Sequence, residues 1–261
     1  MIRLKNISQM RKHLSKYLRI GSQKVLAMMF LVYITMEPVL AGPGGHIAEA
    51  AFETFWGRVV LGILTVIFLP WILYVYTYEY LATRRARKDL RYMATLDSRF
   101  EWFNIKERAT DCFYRVHNSW SDEQMSQTAG WMTSWYWLNQ QFVFLNRWKR
   151  EGLINICNVK KITKIKPLFF VHRNDEAEHE GSVVVVVIEA KMQDYLQDRE
   201  TKKIVEGSKK YKEVERLWSF TLDDGAWKVS NIEESGLSLE YAKLVNDIPE
   251  IETTLAHYKY N

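Results

Sequence analysis

Asp111, Tyr114 and His117 stand three residues apart, a spacing that strings a carboxylate, a phenol and an imidazole along one stretch of helix. A carboxylate base and a hydrogen-bonding acid inside an apolar pocket are what isomerase-type proton transfer requires. Asp111 and Tyr114, however, flank the apolar positions Cys112, Phe113 and Val116, so a rim or solvated position is expected for both. His172 and His179 enclose Asp175, Glu176 and Glu178, a set that invites a metal. It lacks tight ligand spacing, and a charged hairpin loop accounts for it better. The cysteines Cys112 and Cys157 give neither a disulfide framework nor a ligand pair, in keeping with a reducing compartment. Gly42-Pro43-Gly44-Gly45 has no strand before it and no Gly-Lys-Ser/Thr after it, so it is not a phosphate loop. With no nucleophile elbow and no HExxH, the expectation is a non-enzyme without metal or cofactor.

The remaining chemistry is charge. Lys160, Lys161, Lys164 and Lys166 punctuate an alternating apolar segment, and Arg84, Arg85, Arg87, Lys88 and Arg91 follow a long apolar run. Both sets are candidate contacts to an anionic lipid surface, worth about 1 kcal/mol per basic residue close to it, or to an acidic partner.

That apolar run, Val59 to Tyr78, carries no charge. Roughly 20 apolar residues cross a hydrocarbon core of about 30 Å, and flanking basic residues remain on the cytoplasmic side. A transmembrane helix is therefore expected over 58–80, a basic juxtamembrane linker over 81–96, and a domain facing the cytoplasm, or the matrix if the chain is mitochondrial. Ahead of the span, residues 1–24 hold seven basic residues and no acid. A second apolar run from Val25 ends in Val39-Leu40-Ala41, the small-x-small pattern of signal cleavage. The stretch 1–41 reads as a signal peptide, as an uncleaved first span, or as a mitochondrial presequence. Cleavage after Ala41 removes seven of 36 basic and one of 31 acidic residues, leaving 29 against 30. The basic balance then belongs to the leader and gives no argument for nucleic-acid binding. Residues 42–57 form a short Gly-containing outer segment, with Phe52, Phe55 and Trp56 suited to the outer interface.

Past the span, helices precede strands. Asn104 is placed to cap a helix whose apolar face is Ile105, Ala109, Cys112, Phe113, Val116 and Trp120. A second helix is expected from Ser121-Asp122-Glu123 through Trp131, Trp135, Leu138, Phe142, Leu145 and Trp148 to Gly152. After Gly152 the period changes. Leu153 to Val171 reads as a long bulged strand, Val183 to Ile188 as a strand covered on both faces, and Lys209 to Leu222 as a third. Asp223-Asp224-Gly225 is a hairpin signal, with Trp227 to Ile232 pairing back. The fold class is α+β, N-terminal helices packed on a curved antiparallel sheet of about four strands and preceded by a transmembrane helix. Trp120, Trp135, Tyr195, Trp218, Phe220 and Trp227 are its core or cavity-lining candidates.

These residues carry a resemblance. Asp194-Tyr195-x-x-Asp198-x-x-Thr201, Val205-x-Gly207-Ser208, Glu215-x-x-Trp218-x-Phe220 and Asp224-Gly225-x-Trp227-x-Val229 with Ile232, preceded by Asp97-x-x-Phe100 and Gly152-Leu153-x-Asn155, resemble the translocase-of-inner-membrane forty-four-like family, the C-terminal domain of the mitochondrial import-motor tether. The order of leader, span, basic stop and domain is similar to its bacterial membrane-anchored type. The chain departs from it in a meagre glycine stretch, in Thr221-Leu222 where basic residues are common, and in the tail 237–261, expected to be helical. The resemblance assigns 97–236 to the family's domain. It implies a nuclear-transport-factor-two-like cone with a hydrophobic cavity, contact with the membrane surface and a scaffolding role.

The expected function is a membrane-anchored scaffold or adaptor, in the bacterial inner membrane or the mitochondrial inner membrane. Its expected partners are the anionic lipid surface and a protein such as a translocon, chaperone or ribosome, with no specific nucleic acid. The alternative is a small-molecule-binding or isomerase-like cavity of the same fold. A closed pocket with converging polar groups would favour the cavity.

Overall fold

The computed structural model describes residues 55–173, 179–252 and 255. The leader with its cleavage point, the glycine stretch and the acids Asp175, Glu176 and Glu178 lie outside the described residues. The chain divides into two compact units, residues 1–70 and 71–261. Helix α1, Phe55–Ala94, begins in the first and ends in the second. It is long and apolar enough to cross a membrane. In its part of the first unit Val60, Ile63, Val66, Ile67 and Phe68 are all exposed.

In the second unit four antiparallel strands, β1 (Leu153–Val171), β2 (Val183–Asp198), β3 (Ile204–Asp223) and β4 (Ala226–Glu234), pair in chain order. Helices pack on this sheet, as the order of periodicities predicts. Side chains alternate across a strand, and β2 shows both sets buried. Val184, Val186 and Ile188 face one cluster with Phe113, Val116, Trp218 and Phe220. Val185 and Val187 face a second with Leu168, Phe169 and Leu217. Helix α2, Trp102–Ser121, supplies Ile105, Ala109, Cys112, Phe113 and Val116 to the first face. Helix α5, Ser238–Leu244, covers part of the second through Ala242. Each large apolar side chain so buried contributes about 1.5–3 kcal/mol.

The stretch expected as a linker is helical through Ala94, and Ala82, Ala86, Leu90 and Met93 are core residues. Those small and apolar residues recur at spacings of three and four, so their face docks on the sheet and the basic residues take the other sides.

Two helix boundaries differ from the sequence expectation. α2 starts at Trp102, and Asn104 instead donates its Nδ2 to Ser98 O at 2.9 Å. The entry is set by a 3₁₀ turn over Ser98–Phe100, where the Asp97 carboxylate accepts from Arg99 N at 2.7 Å. The second helix starts at Ser134 and not at Ser121. The Ser121 hydroxyl is taken by Cys157, donating to its O at 3.1 Å and accepting from its N at 3.2 Å. Trp131 and Thr133 straddle the free edge of β4 and bond it through Val229 N→Trp131 O at 2.8 Å and Thr133 N→Val229 O at 2.9 Å. An unpaired strand edge needs such partners, and meeting that need costs the helix its first turns. From Ser134 a continuous rod of α3 (Ser134–Asn139), a π-helical stretch (Gln140–Leu145) and α4 (Asn146–Arg150) leads into β1.

Candidate functional site

The three-residue spacing of Asp111, Tyr114 and His117 turns each about 60° from the last, so the trio fans apart. Asp111 lies at the rim, accepting from Arg115 Nε at 2.7 Å and Trp131 Nε1 at 2.8 Å. Tyr114 is exposed. His117 is buried, its Nδ1 2.7 Å from Phe113 O and its ring 4.2 Å from that of Phe113. They do not converge on a common point. Between α2 and the sheet, aromatic rings pack together: Phe113 lies 5.1 Å from Trp218, and Trp218 6.5 Å from Phe220.

Burial lowers the His117 pKa, because the interior disfavours the imidazolium. A histidine titrates near 6.5 when unfolded. The unfolded chain therefore takes up the proton first, and the stability this group confers is present above about pH 6.5 and lost as pH falls below it. The lowered carboxyls Asp97 and Asp198 act only at much lower pH. His117→Gln is expected to flatten the fall in melting temperature between about pH 7.5 and about pH 5.5. An unchanged slope in the variant would assign the acid sensitivity to another group.

The cysteines are inert. Burial pushes the Cys112 thiol up to about 12 and raises Cys157 as well, so neither supplies a thiolate near neutral pH. His172 Nε2 and His179 Nδ1 sit 2.8 Å apart against the edge of Phe100. No cluster of three metal-ligating side chains occurs among the described residues.

The basic candidates differ in exposure and in partners. Arg84, Arg87 and Arg91 are exposed on α1. Arg85 binds Asp89 at 2.8 Å and Glu250 at 3.3 Å, and Lys88 binds Glu250 at 2.9 Å. Burial raises the Asp89 carboxyl despite Arg85 beside it. Lys160, Lys161 and Lys164 are exposed, whereas Lys166 is enclosed in an ion pair with Glu79 at 3.0 Å, its side chain 17% exposed. The four lysines do not share one face. Register shifts between Val159 and Lys161 and between Ile162 and Lys164 break the alternation. Lys161 stands directly across from Lys191, Lys164 reaches Glu189 at 3.7 Å, and Lys160 Nζ lies 5.7 Å over the Tyr211 ring.

Strand pairing extends this surface to residues that sequence reading passed over. The paired ends of β2 and β3 form an arm exposed over 204–207 and 209–213. Lys209 Nζ lies 5.8 Å over the Tyr195 ring, Lys191 stands across from Glu213, and Lys212 across from Met192. Gly207 takes a φ of +82°, and a Cβ there would meet Asp194 O at 2.3 Å. The bend of the arm therefore depends on this glycine.

The aromatic candidates also divide. Trp218 and Phe220 are fully buried, and Trp227 is buried with its Nε1 donating to Arg99 O at 2.9 Å. Trp120 is half-buried against the core and Tyr195 half-buried under Lys209. Trp135 corrects the expectation. It is 70% exposed, because Tyr136 takes the inward position beside it.

Helix α1 meets the sheet along β1. Glu79 accepts from Ser238 and Lys166, Ala82 packs with Leu168 and Phe169, and Arg85, Ala86 and Asp89 border Phe170. Advancing along α1 is thus advancing along β1.

No protein-family model matches the chain, and no curated protein matches it. Among solved structures it is similar to the intermembrane space region of the chloroplast protein ARC6, at 12% identity over 49% of this chain and 95% of that one, with a TM-score of 0.33.

Proposed function

We propose that the chain is a membrane-anchored adaptor whose domain faces the cytoplasm, or the matrix of a mitochondrion, and docks protein partners at the anionic membrane surface. The observation that carries this reading is the continuity of α1. The apolar run to Tyr78 passes directly into Glu79, held by Ser238 and Lys166, and then into the core residues Ala82, Ala86, Leu90 and Met93. Arg84, Arg87 and Arg91 on the next turns favour the cytoplasmic side.

The divergence of Asp111, Tyr114 and His117, which do not meet at one point, favours surface recognition over an isomerase-like site. The resemblance to the translocase-of-inner-membrane forty-four-like family points the same way. On this reading the curved sheet is its nuclear-transport-factor-two-like cone, the leader is removed after Ala41, and the partner belongs to protein translocation or membrane-protein biogenesis. A photo-crosslinking residue in place of Lys210, on the arm, is expected to trap a discrete protein adduct in intact cells. Absence of any protein adduct from Lys210 and from the other exposed positions of the domain would contradict the adaptor role.

A further inference from the structure

Strand β3 runs past the end of its outer neighbour. β4 stops at Glu234, opposite Arg216, so among the described residues no strand pairs with that side of β3 over 204–215. The outer edge of β4 is closed by Trp131 and Thr133. The edge of β3 is left open, with 204–207 and 209–213 exposed. Ile204, Val205 and Tyr211 place apolar side chains on it, Val205 at 59% exposure. Part of the edge is satisfied locally, since at the bulge Ser208 Oγ accepts from Lys210 N at 3.1 Å and Gln193 Nε2 donates to Lys209 O. The remaining backbone groups form a template for one more strand.

Charge identifies the occupant. Over 202–213, Lys202, Lys203, Lys209, Lys210 and Lys212 stand against Glu206 and Glu213, and Glu213 already accepts from Thr163 Oγ1 at 3.2 Å. Lys160 adds its charge from β1, 5.7 Å over the Tyr211 ring. Edge lysines discourage pairing with a second copy, because like charges on adjacent strands repel. The same lysines attract an extended segment that carries acids among apolar residues. We infer that the open edge of β3 over 204–213 docks an acidic, extended segment of a partner protein by strand addition. Main-chain hydrogen bonds supply the affinity and the lysines select the acids. This deepens the adaptor reading, on which it rests, by naming the chemistry of the partner.

The test uses the full chain in an uncharged detergent and a fluorescent peptide of alternating Glu and Val, about 12 residues long so that it spans the edge at roughly 3.3 Å per residue. Saturable binding is expected, weakened about tenfold when Lys209, Lys210 and Lys212 are together replaced by Gln. A peptide of alternating Glu and Pro keeps the charge and cannot join a sheet, so it should fail to bind. A photo-crosslinking residue in place of Val205 should capture the Glu–Val peptide, and one in place of Asp224, at the far end of β3, should not. Absence of saturable binding would overturn the inference, as would equal binding of the two peptides, which would reduce the contact to charge alone. Capture of lipid and not protein from position 205 in native membranes would also overturn it, assigning the edge to the bilayer. Protein adducts at other exposed positions with none at 205 would overturn the inference and leave the adaptor reading standing. No protein adduct at any exposed position would overturn the adaptor reading, and with it the partner named here.

Discussion

Trp218→Ala is expected to lower the stability of a fragment beginning at Glu79 by about 3 kcal/mol, the lower end of the 3–5 kcal/mol typical of large aromatic truncations in a core. The side chain is fully buried among Phe113, His117 and Phe220, which sets the scale. One term acts against it. The Trp218 Nε1 is buried without a hydrogen-bond partner, and removing such a group recovers about 1–3 kcal/mol of desolvation. Trp218→Phe, which keeps a ring and removes the orphaned donor, is accordingly expected to cost much less. The fragment has to start before Ala82, because a start at residue 92 deletes the core residues Ala82, Ala86 and Leu90. A loss under about 1 kcal/mol for Trp218→Ala in chemical denaturation would contradict the packing described.

The lysine surface gives the second large effect. Replacing Lys160, Lys161 and Lys164 together by Gln is expected to weaken binding of the same fragment to anionic vesicles by about 3 kcal/mol, roughly a hundredfold. The melting temperature should be unchanged, since all three are exposed and exposed pairs such as Lys164 with Glu189 are worth little. Lys166→Gln should behave oppositely, lowering the melting temperature by stranding the part-buried Glu79. Binding of the parent fragment should fall between low and physiological salt, as screening shortens to about 8 Å. Unaltered vesicle binding in the triple variant would make these lysines a merely solvated surface.

Much of the sheet was legible because strands announce themselves locally. The run Val183 to Ile188, apolar on both sides of the pleat, predicts a strand covered twice, and the clusters on its two faces agree with that. The Asp224-Gly225 turn and the bulged first strand were equally readable. Helix starts were not, because they are decided at a distance. Ser121 is claimed by Cys157, and Trp131 and Thr133 by the edge of β4, residues far away in sequence. For the same reason the lysine surface was legible only in part. Lys166 and Glu79 are 87 residues apart, and Lys161 meets Lys191 only through strand register. Trp135 reads as core in the sequence yet is exposed, because an aromatic at helical spacing looks the same on either face and the π-helical turn alters which face is inward.

A reporter that is active only outside the cytoplasm, fused after Asn261, tests the anchored, inward-facing domain most directly. The charge asymmetry across Val59 to Tyr78 and the continuity of α1 into the domain predict a silent fusion, with a cytoplasm-active reporter at the same point giving full signal. High activity of the outside-only reporter would contradict the account, since it would place the domain and its lysine arm on the opposite side of the membrane.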